Sequence, residues 1–226
     1  MGKAADSAAA RKQFLRLAGT PVIIRTVRQV VEAQTIDEIL IAVRDEDRAT
    51  LEELLAQERL PKPVRLAAGG RTRQESVLNC LAMVAPDVEL VAVHDAVRPF
   101  IEPELIDQAV RQAARDGAVI LGLPAVETVK QVDQRIVHAT LPRERIMLAQ
   151  TPQVFRTELL KRAYEQAERD GFTGTDEASL VEHLGEDVHV MMGSQRNIKI
   201  TKPGDLALAE FLLQHLTEAP ATADAR

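Results

Sequence analysis

Short runs of continuous apolar residues alternate along this chain with longer stretches in which apolar positions return every three or four residues. The runs fall at 38–43, 64–67, 90–93 and 118–121, with helical patterns between them at about 21–33, 45–58, 71–85 and 103–116. Apolarity without alternation predicts strands covered on both faces, and the strand–helix rhythm predicts a mostly parallel, doubly wound α/β sheet. After Pro124 the rhythm breaks. Residues 127–138 read as two short strands joined by a polar Asp133-Gln134 turn, which predicts a projecting β-arm over about 124–146. Helices are predicted again at 157–170 and 176–184, a strand at 187–192, and a last helix opening at Pro203 and ending near His215. There is no internal repeat. One domain is expected over 1–216, followed by a disordered tail at 217–226 rich in Ala, Thr and Pro.

Composition narrows the class. A chain of 226 residues can bury one substantial core, and 46% hydrophobic with 27% charged residues excludes a disordered or disulfide-stapled chain. A net charge of -6 gives no broad footprint for nucleic acid or an anionic membrane, so an anionic ligand must be met by local cations. No apolar run reaches membrane-spanning length, and Met1 to Asp6 lacks the apolar stretch of a secretory signal, which predicts a cytoplasmic protein. Cys80 lies in a helical pattern and reads as a small core residue.

In parallel sheets ligands collect beyond the carboxyl ends of the strands, so the residues just after each strand are searched first. After the second run comes Gly69-Gly70-Arg71-Thr72-Arg73-Gln74-Glu75-Ser76. Paired glycines admit a ligand to backbone N–H groups and the following helix start favours an anion, although a turn with an N-cap explains the same residues. After the third run comes Val93-His94-Asp95-Ala96-Val97-Arg98-Pro99. Asp95 can hold a hydroxyl or a hydrated cation there, or can equally pair with Arg98 only to stitch the turn, and His94 reads as a core histidine. Lys199, between Ile198 and Ile200 in a β-like run, is expected to be a buried lysine with a partner or a function. Thr175-Asp176-Glu177-Ala178-Ser179 reads as a helix cap with acids in the first turn.

In order, Lys12-Gln13-Phe14-Leu15, Gly69-Gly70 with Ser76-Val77, residues 93–99, Glu127-Thr128-Val129-Lys130, Gln150-Thr151-Pro152-Gln153-Val154-Phe155, residues 175–179 and residues 197–203 resemble the 2-C-methyl-D-erythritol 4-phosphate cytidylyltransferases. The resemblance covers nearly the whole chain. It implies a Rossmann-like nucleotidyltransferase fold, a homodimer interlocked through the β-arm, and transfer of CMP from CTP to a sugar-alcohol phosphate with release of pyrophosphate. It implies Lys12 at the α-phosphate, Lys199 at the attacking phosphate, and Arg143 and Thr128 gripping the acceptor from the partner subunit, with Thr151 beside them. Gly69, Gly70 and Ser76 would line the cytosine pocket, and Asp95 would bind sugar hydroxyls with Arg98 supporting its turn. Mg2+ bridging the nucleotide phosphates is implied too, without a clear protein ligand set.

The family opens with an apolar strand and a glycine-rich loop ahead of Lys-Gln-Phe-Leu, whereas this chain starts at Met1-Gly2, inside that loop, with Arg11 where proline is usual. A start assigned too far downstream is the expectation, against a catalytically crippled form. The chain as it stands is expected to bind CTP weakly, turn over poorly and leave an unpaired edge beside 38–43. A ribitol 5-phosphate cytidylyltransferase shares most of these motifs, and a non-catalytic nucleotide-binding dimer is a further alternative.

Overall fold

The structure is a computed structural model, and it describes residues 12–216, with the side chains of Pro203 and Leu216 excepted. The expectations placed on residues 1–11, Arg11 and the glycine-rich loop among them, and on the tail 217–226 lie outside the described residues. A 3₁₀ turn at Lys12–Phe14 leads into a hairpin, β1 (Arg16–Leu17) and β2 (Thr20–Pro21), and then α1 (Val22–Glu32). Next come β3 (Ile39–Val43), α2 (Asp45–Ala56), β4 (Val64–Ala68), α3 (Arg73–Leu81), β5 (Leu90–Val93), α4 (Pro103–Asp116) and β6 (Ala118–Pro124). The arm is β7 (Val129–Asp133) and β8 (Ile136–Leu141), followed by a 3₁₀ turn at Arg143–Arg145 and the long β9 (Met147–Arg156). The chain closes with α5 (Thr157–Asp170), α6 (Glu177–His183), β10 (His189–Met192) and α7 (Pro203–Leu216).

The central sheet has the order β10-β6-β9-β5. β6 is parallel to β10, and β9 is antiparallel to both β6 and β5, so three strands point one way and β9 the other. Successive side chains of a strand face opposite sides. Ala118 and Ile120 accordingly pack with Phe155, Leu160 and Tyr164 under α5 and α6, while Val119 and Leu121 pack with Val154, Ile106 and Ala109 under α4. Burial on both faces is why β6 reads as an unbroken apolar run.

β9 is the strand the apolar rhythm does not predict. Its centre is Gln150-Thr151-Pro152-Gln153, polar and carrying a proline that cannot donate to a ladder. Opposite it, Ile120 pairs with Gln153 and Leu121 with Gln150, so Thr151 and Pro152 bulge out of register. The buried amides find partners. Gln153 Nε2 donates to Asp176 Oδ2 at 2.7 Å and its Oε1 accepts from Ala178 N at 3.1 Å, while Gln150 Nε2 donates to Ser194 O at 3.0 Å.

Smaller departures have local causes. The α3 helix starts at Arg73, later than the pattern suggests, because Thr72 caps it by accepting from Glu75 N at 3.0 Å. In the arm the reversal falls on Gln134 and Arg135, at φ 45° and 69°, one residue beyond the expected turn, alongside a register shift between Gln131 and Val132.

The parallel pair β3–β4 stands apart from the central sheet. Among the described residues β3 pairs only with β4, and β5 only with β9. Between β3 and β5 lies an apolar cavity of about 360 Å³ lined by residues such as Ile39, Ile41, Val91, Val93 and Cys80. Burial pushes the Cys80 thiol up to about 11, so at neutral pH it is an unreactive wall of that cavity.

Candidate active site

Beyond Val93 the chain turns, and Arg98 N donates to Asp95 O at 3.0 Å to close the turn. Two other segments fix this turn in place. From α1, Thr26 Oγ1 donates to Ala96 O at 2.9 Å; from the far end of the chain, Ile200 N donates to Val97 O at 2.9 Å. Arg98 Nη1 also donates to the backbone oxygen of Asn197 at 2.7 Å, and the fully buried Asn197 donates through Nδ2 to Thr151 O at 2.8 Å. Residues 197–200 are thereby laid along the turn, outside any strand. The expectation of a buried Lys199 is corrected here. Ile200 points inward, but Lys199 points outward with a side chain 42% exposed, its Nζ 2.9 Å from Asp95 Oδ2.

Asp95 therefore does more than stitch its turn. Arg98 Nε lies 3.4 Å from Oδ2, and a third cation, Arg73 Nε, lies 3.6 Å from Oδ1. Burial alone would push the carboxyl up. The hydrogen bond and charge of Lys199, with the charges of Arg73 and Arg98, outweigh burial and hold it below the usual carboxylate range. Burial lowers the Arg98 guanidinium, and Asp95 offsets part of that. The result is an ionised carboxylate in a ring of cations, a place where hydroxyl groups can be held and phosphate charge met nearby.

His94 has both ring nitrogens occupied. Nδ1 lies 3.1 Å from Thr151 Oγ1, and Nε2 lies 3.3 Å from Arg98 O. Because the carbonyl can only accept, Nε2 carries the proton and Nδ1 accepts from the threonine hydroxyl. The same Oγ1 accepts from Asp95 N at 3.0 Å. Thr151 is thus joined to His94 and Asp95 and makes no hydrogen bond with Arg143 or Thr128 among the described residues. The bulge in β9 is what brings it there. Burial of the ring, reinforced by the Arg98 charge, depresses the imidazole to about 4 despite the Arg98 carbonyl and Asp95. Since the folded value lies below the free value of about 6.5, the unfolded chain takes up the proton first as pH falls. Stability is expected to drop between about pH 6.5 and 4, by an amount on the order of 3 kcal/mol. NMR titration of the His94 ring, assigned with His94→Asn, should show a neutral imidazole at pH 5.5; a midpoint near 6.5 would contradict the arrangement.

The glycine pair stands at the next strand end. Gly69 N donates to Val43 O at 2.7 Å, Gly70 N donates to Ser76 Oγ at 3.0 Å, and that hydroxyl donates to Thr72 O at 2.8 Å. A Cβ on Gly70 would lie 2.5 Å from the Glu75 side chain and 2.9 Å from its backbone carbon, so close approach is what requires glycine here. Arg73, three residues on, links this loop to Asp95. Lys12 begins the 3₁₀ turn whose Phe14 packs in one cluster with Val43 and Ala96, which holds the turn at the same strand ends. Thr128 and Arg143 are not drawn in. Thr128 is exposed just before β7, and Arg143 Nη1 donates to Val126 O at 2.8 Å at the base of the arm.

Sequence reasoning passed over Arg73, Glu177 and Asn197. Arg73 carried a faint signal, a cation in the first helical turn after a glycine pair. Glu177 was hidden in the 175–179 run, where Asp176 does form the expected capping box with Ser179.

A Rossmann-like α/β fold with a glycine-pair loop at one strand end and a cation-ringed carboxylate at the next forms a ligand crevice outside the carboxyl ends of the strands, suited to a ligand that carries both hydroxyl groups and negative charge. Comparison with known proteins makes the class particular. The profile of the 2-C-methyl-D-erythritol 4-phosphate cytidylyltransferases matches residues 2–215. A relative from Solibacter usitatus bearing that name is 51% identical over 217 residues, 94% of this chain and 89% of its own, and one from Acidobacterium capsulatum is 49% identical over 208 residues, 90% of this chain and 87% of its own. The crystal structure of 4-diphosphocytidyl-2C-methyl-D-erythritol synthase from Anaerococcus prevotii superposes with a TM-score of 0.84 at 32% identity, covering 92% of this chain and 95% of that one. The chain belongs to the 2-C-methyl-D-erythritol 4-phosphate cytidylyltransferase family, and its reaction is cytidylyl transfer to that sugar phosphate. The ribitol phosphate and non-catalytic alternatives give way to this family.

Proposed function

We propose that the transfer takes place at the Asp95 centre, with CTP lying across the strand ends from the Gly69-Gly70 loop to Asp95. The observation that carries this reading is the accessible Lys199 ammonium held 2.9 Å from Asp95 Oδ2, a cation fixed beside a hydroxyl-binding carboxylate. The cytosine edge meets Gly69, Gly70 and Ser76, and Asp95 takes the ribose hydroxyls while Arg98 keeps its turn closed. Thr151 acts through the turn by fixing Asp95 N. Lys12 faces the α-phosphate, and Lys199 holds the acceptor's phosphate.

A phosphate oxygen of 2-C-methyl-D-erythritol 4-phosphate attacks the α-phosphorus in line. The new P–O bond forms as the bond to the bridging oxygen of pyrophosphate breaks, giving 4-diphosphocytidyl-2-C-methyl-D-erythritol. The nucleophile is already anionic, so no general base is needed. Catalysis then consists of bringing two repelling anions together and neutralising charge on the phosphoryl oxygens, which Lys12 and Lys199 supply. Magnesium would neutralise nucleotide phosphate charge when bound, yet no group of three His, Cys, Asp or Glu side chains gathers to hold it among the described residues. Such an ion would be held chiefly by the nucleotide phosphates and water. We read the reaction as cytoplasmic; no helix of the described residues is long and apolar enough to cross a membrane. The direct test is pyrophosphate release with CTP and each sugar phosphate. Turnover is expected with the methylerythritol phosphate, and turnover with ribitol 5-phosphate alone would overturn the assignment.

The arm supports a homodimer in which Thr128 and Arg143 serve the partner's site. Val132 and Ile136 leave 53% and 63% of their surfaces exposed on this hairpin, apolar area that a second subunit would cover. Val132→Asp combined with Ile136→Asp is expected to yield a folded monomer by light scattering, with turnover lost in parallel. A wild-type monomer working at full rate would remove the arm from the mechanism.

A further inference from the structure

Arg73 opens α3 directly behind the glycine loop, and its guanidinium is shared between two carboxylates from distant parts of the chain. Nη1 donates to Glu177 Oε1 at 2.7 Å, Nη2 lies 2.7 Å from Oε2 as a charge contact without a hydrogen bond, and Nε faces Asp95 Oδ1, 3.6 Å away. Glu177 is 1% exposed, at the first residue of α6, and Tyr164 of α5 donates its hydroxyl to Oε1 at 3.2 Å. A carboxylate so deeply buried needs a cationic partner, and the hydrogen bond to Oε1 with the close charge contact at Oε2 holds the planar guanidinium against it. Burial alone would lower the Arg73 guanidinium; the charge and hydrogen bond of Glu177, with Asp95 behind, more than restore it. The outer part of Arg73 stays accessible, its side chain 37% exposed, where the nucleotide would lie.

We propose that Glu177 and Arg73 are a positioning pair that orients the Asp95 carboxylate toward the ribose of the bound nucleotide. Lys199 and Arg98 approach Oδ2 most closely, whereas Arg73 approaches Oδ1. The three cations thus fix both oxygens, and the one whose own orientation is locked by a buried acid sets the plane of the carboxylate. A bare brace between α3 and α6 would need the Glu177 contact but not the alignment of Nε with Asp95. The proposal rests on the reading that Asp95 binds ribose hydroxyls.

The experiment compares kcat/KM for CTP with that for 2′-deoxy- and 3′-deoxy-CTP in the full-length wild type, Arg73→Lys, Glu177→Gln and Asp95→Asn, with thermal unfolding of each. A lysine keeps the charge but its single ammonium cannot face Glu177 and Asp95 at once as the guanidinium does, and it serves should Glu177→Gln fail to fold. The wild type is expected to prefer CTP over at least one deoxy analogue. Both variants are expected to lose about tenfold of that preference, through KM for the nucleotide, while KM for the sugar phosphate holds. Equal losses on CTP and its deoxy analogues, or an unchanged preference, would reduce the pair to a brace and overturn the proposal. A preference surviving in Asp95→Asn would sink the reading of Asp95 itself, and the proposal with it, a result separable from failure at Arg73 alone.

Discussion

Lys199→Ala is expected to lower kcat/KM by about 10²–10³-fold, the usual cost of removing one charge-stabilising donor from a transition state. It should do so with little effect on folding. The side chain is substantially exposed, and Asp95 keeps Arg98 and Arg73 when Lys199 is gone, so the lost pair contributes on the order of 0–1 kcal/mol. Steady-state kinetics with both substrates varied, alongside a thermal melt, separates the two effects. A variant that keeps its rate, or one that melts far below the wild type, would contradict the role given to this ammonium.

Gly70→Ala should act almost as strongly by a different route. φ at Gly70 is not in the left-handed region, so the backbone itself is not strained by a side chain. The added methyl instead collides with Glu75, including its backbone carbon, and the first turn of α3 has to move. That turn carries Ser76, whose hydroxyl receives Gly70 N, and Arg73. A displacement of about 1 Å in such a positioning element costs roughly 10²-fold in rate, and overpacking itself costs about 1–3 kcal/mol. CTP binding measured by calorimetry should weaken in the variant even without the second substrate. Unchanged affinity would mean that the glycine loop does not face the nucleotide.

How much of this was legible in the sequence depends on how far each partner lies along the chain. The contact of Gly70 with Glu75 spans five residues, and the Asp95–Arg98 pair three, so both could be suspected from local spacing. β6 announced itself because both of its faces are buried. β9 did not, since its centre is polar, and burying two glutamines becomes acceptable only once residues near 176 and 194 have arrived to bond them. Lys199 misled for a related reason: the apolar neighbours Ile198 and Ile200 suggested a strand, while only Ile200 is fully buried and the segment is an extended strip pinned by Arg98 and Val97. The Arg73–Glu177 contact spans 104 residues, and no local pattern marks it.

The same separations carry a consequence for the order in which the site comes into being. Asp95 gathers groups from residues 73, 98 and 199, and its orienting acid comes from residue 177. Contacts that close such long loops form late in folding. During synthesis, Asp95 must wait for nearly nine-tenths of the polypeptide to leave the ribosome before its last cation can reach it. A nascent chain stalled before residue 199 would hold the glycine loop and the carboxylate yet lack the lysine beside it, so the site gains its last cation only when the segment after β10 has been made.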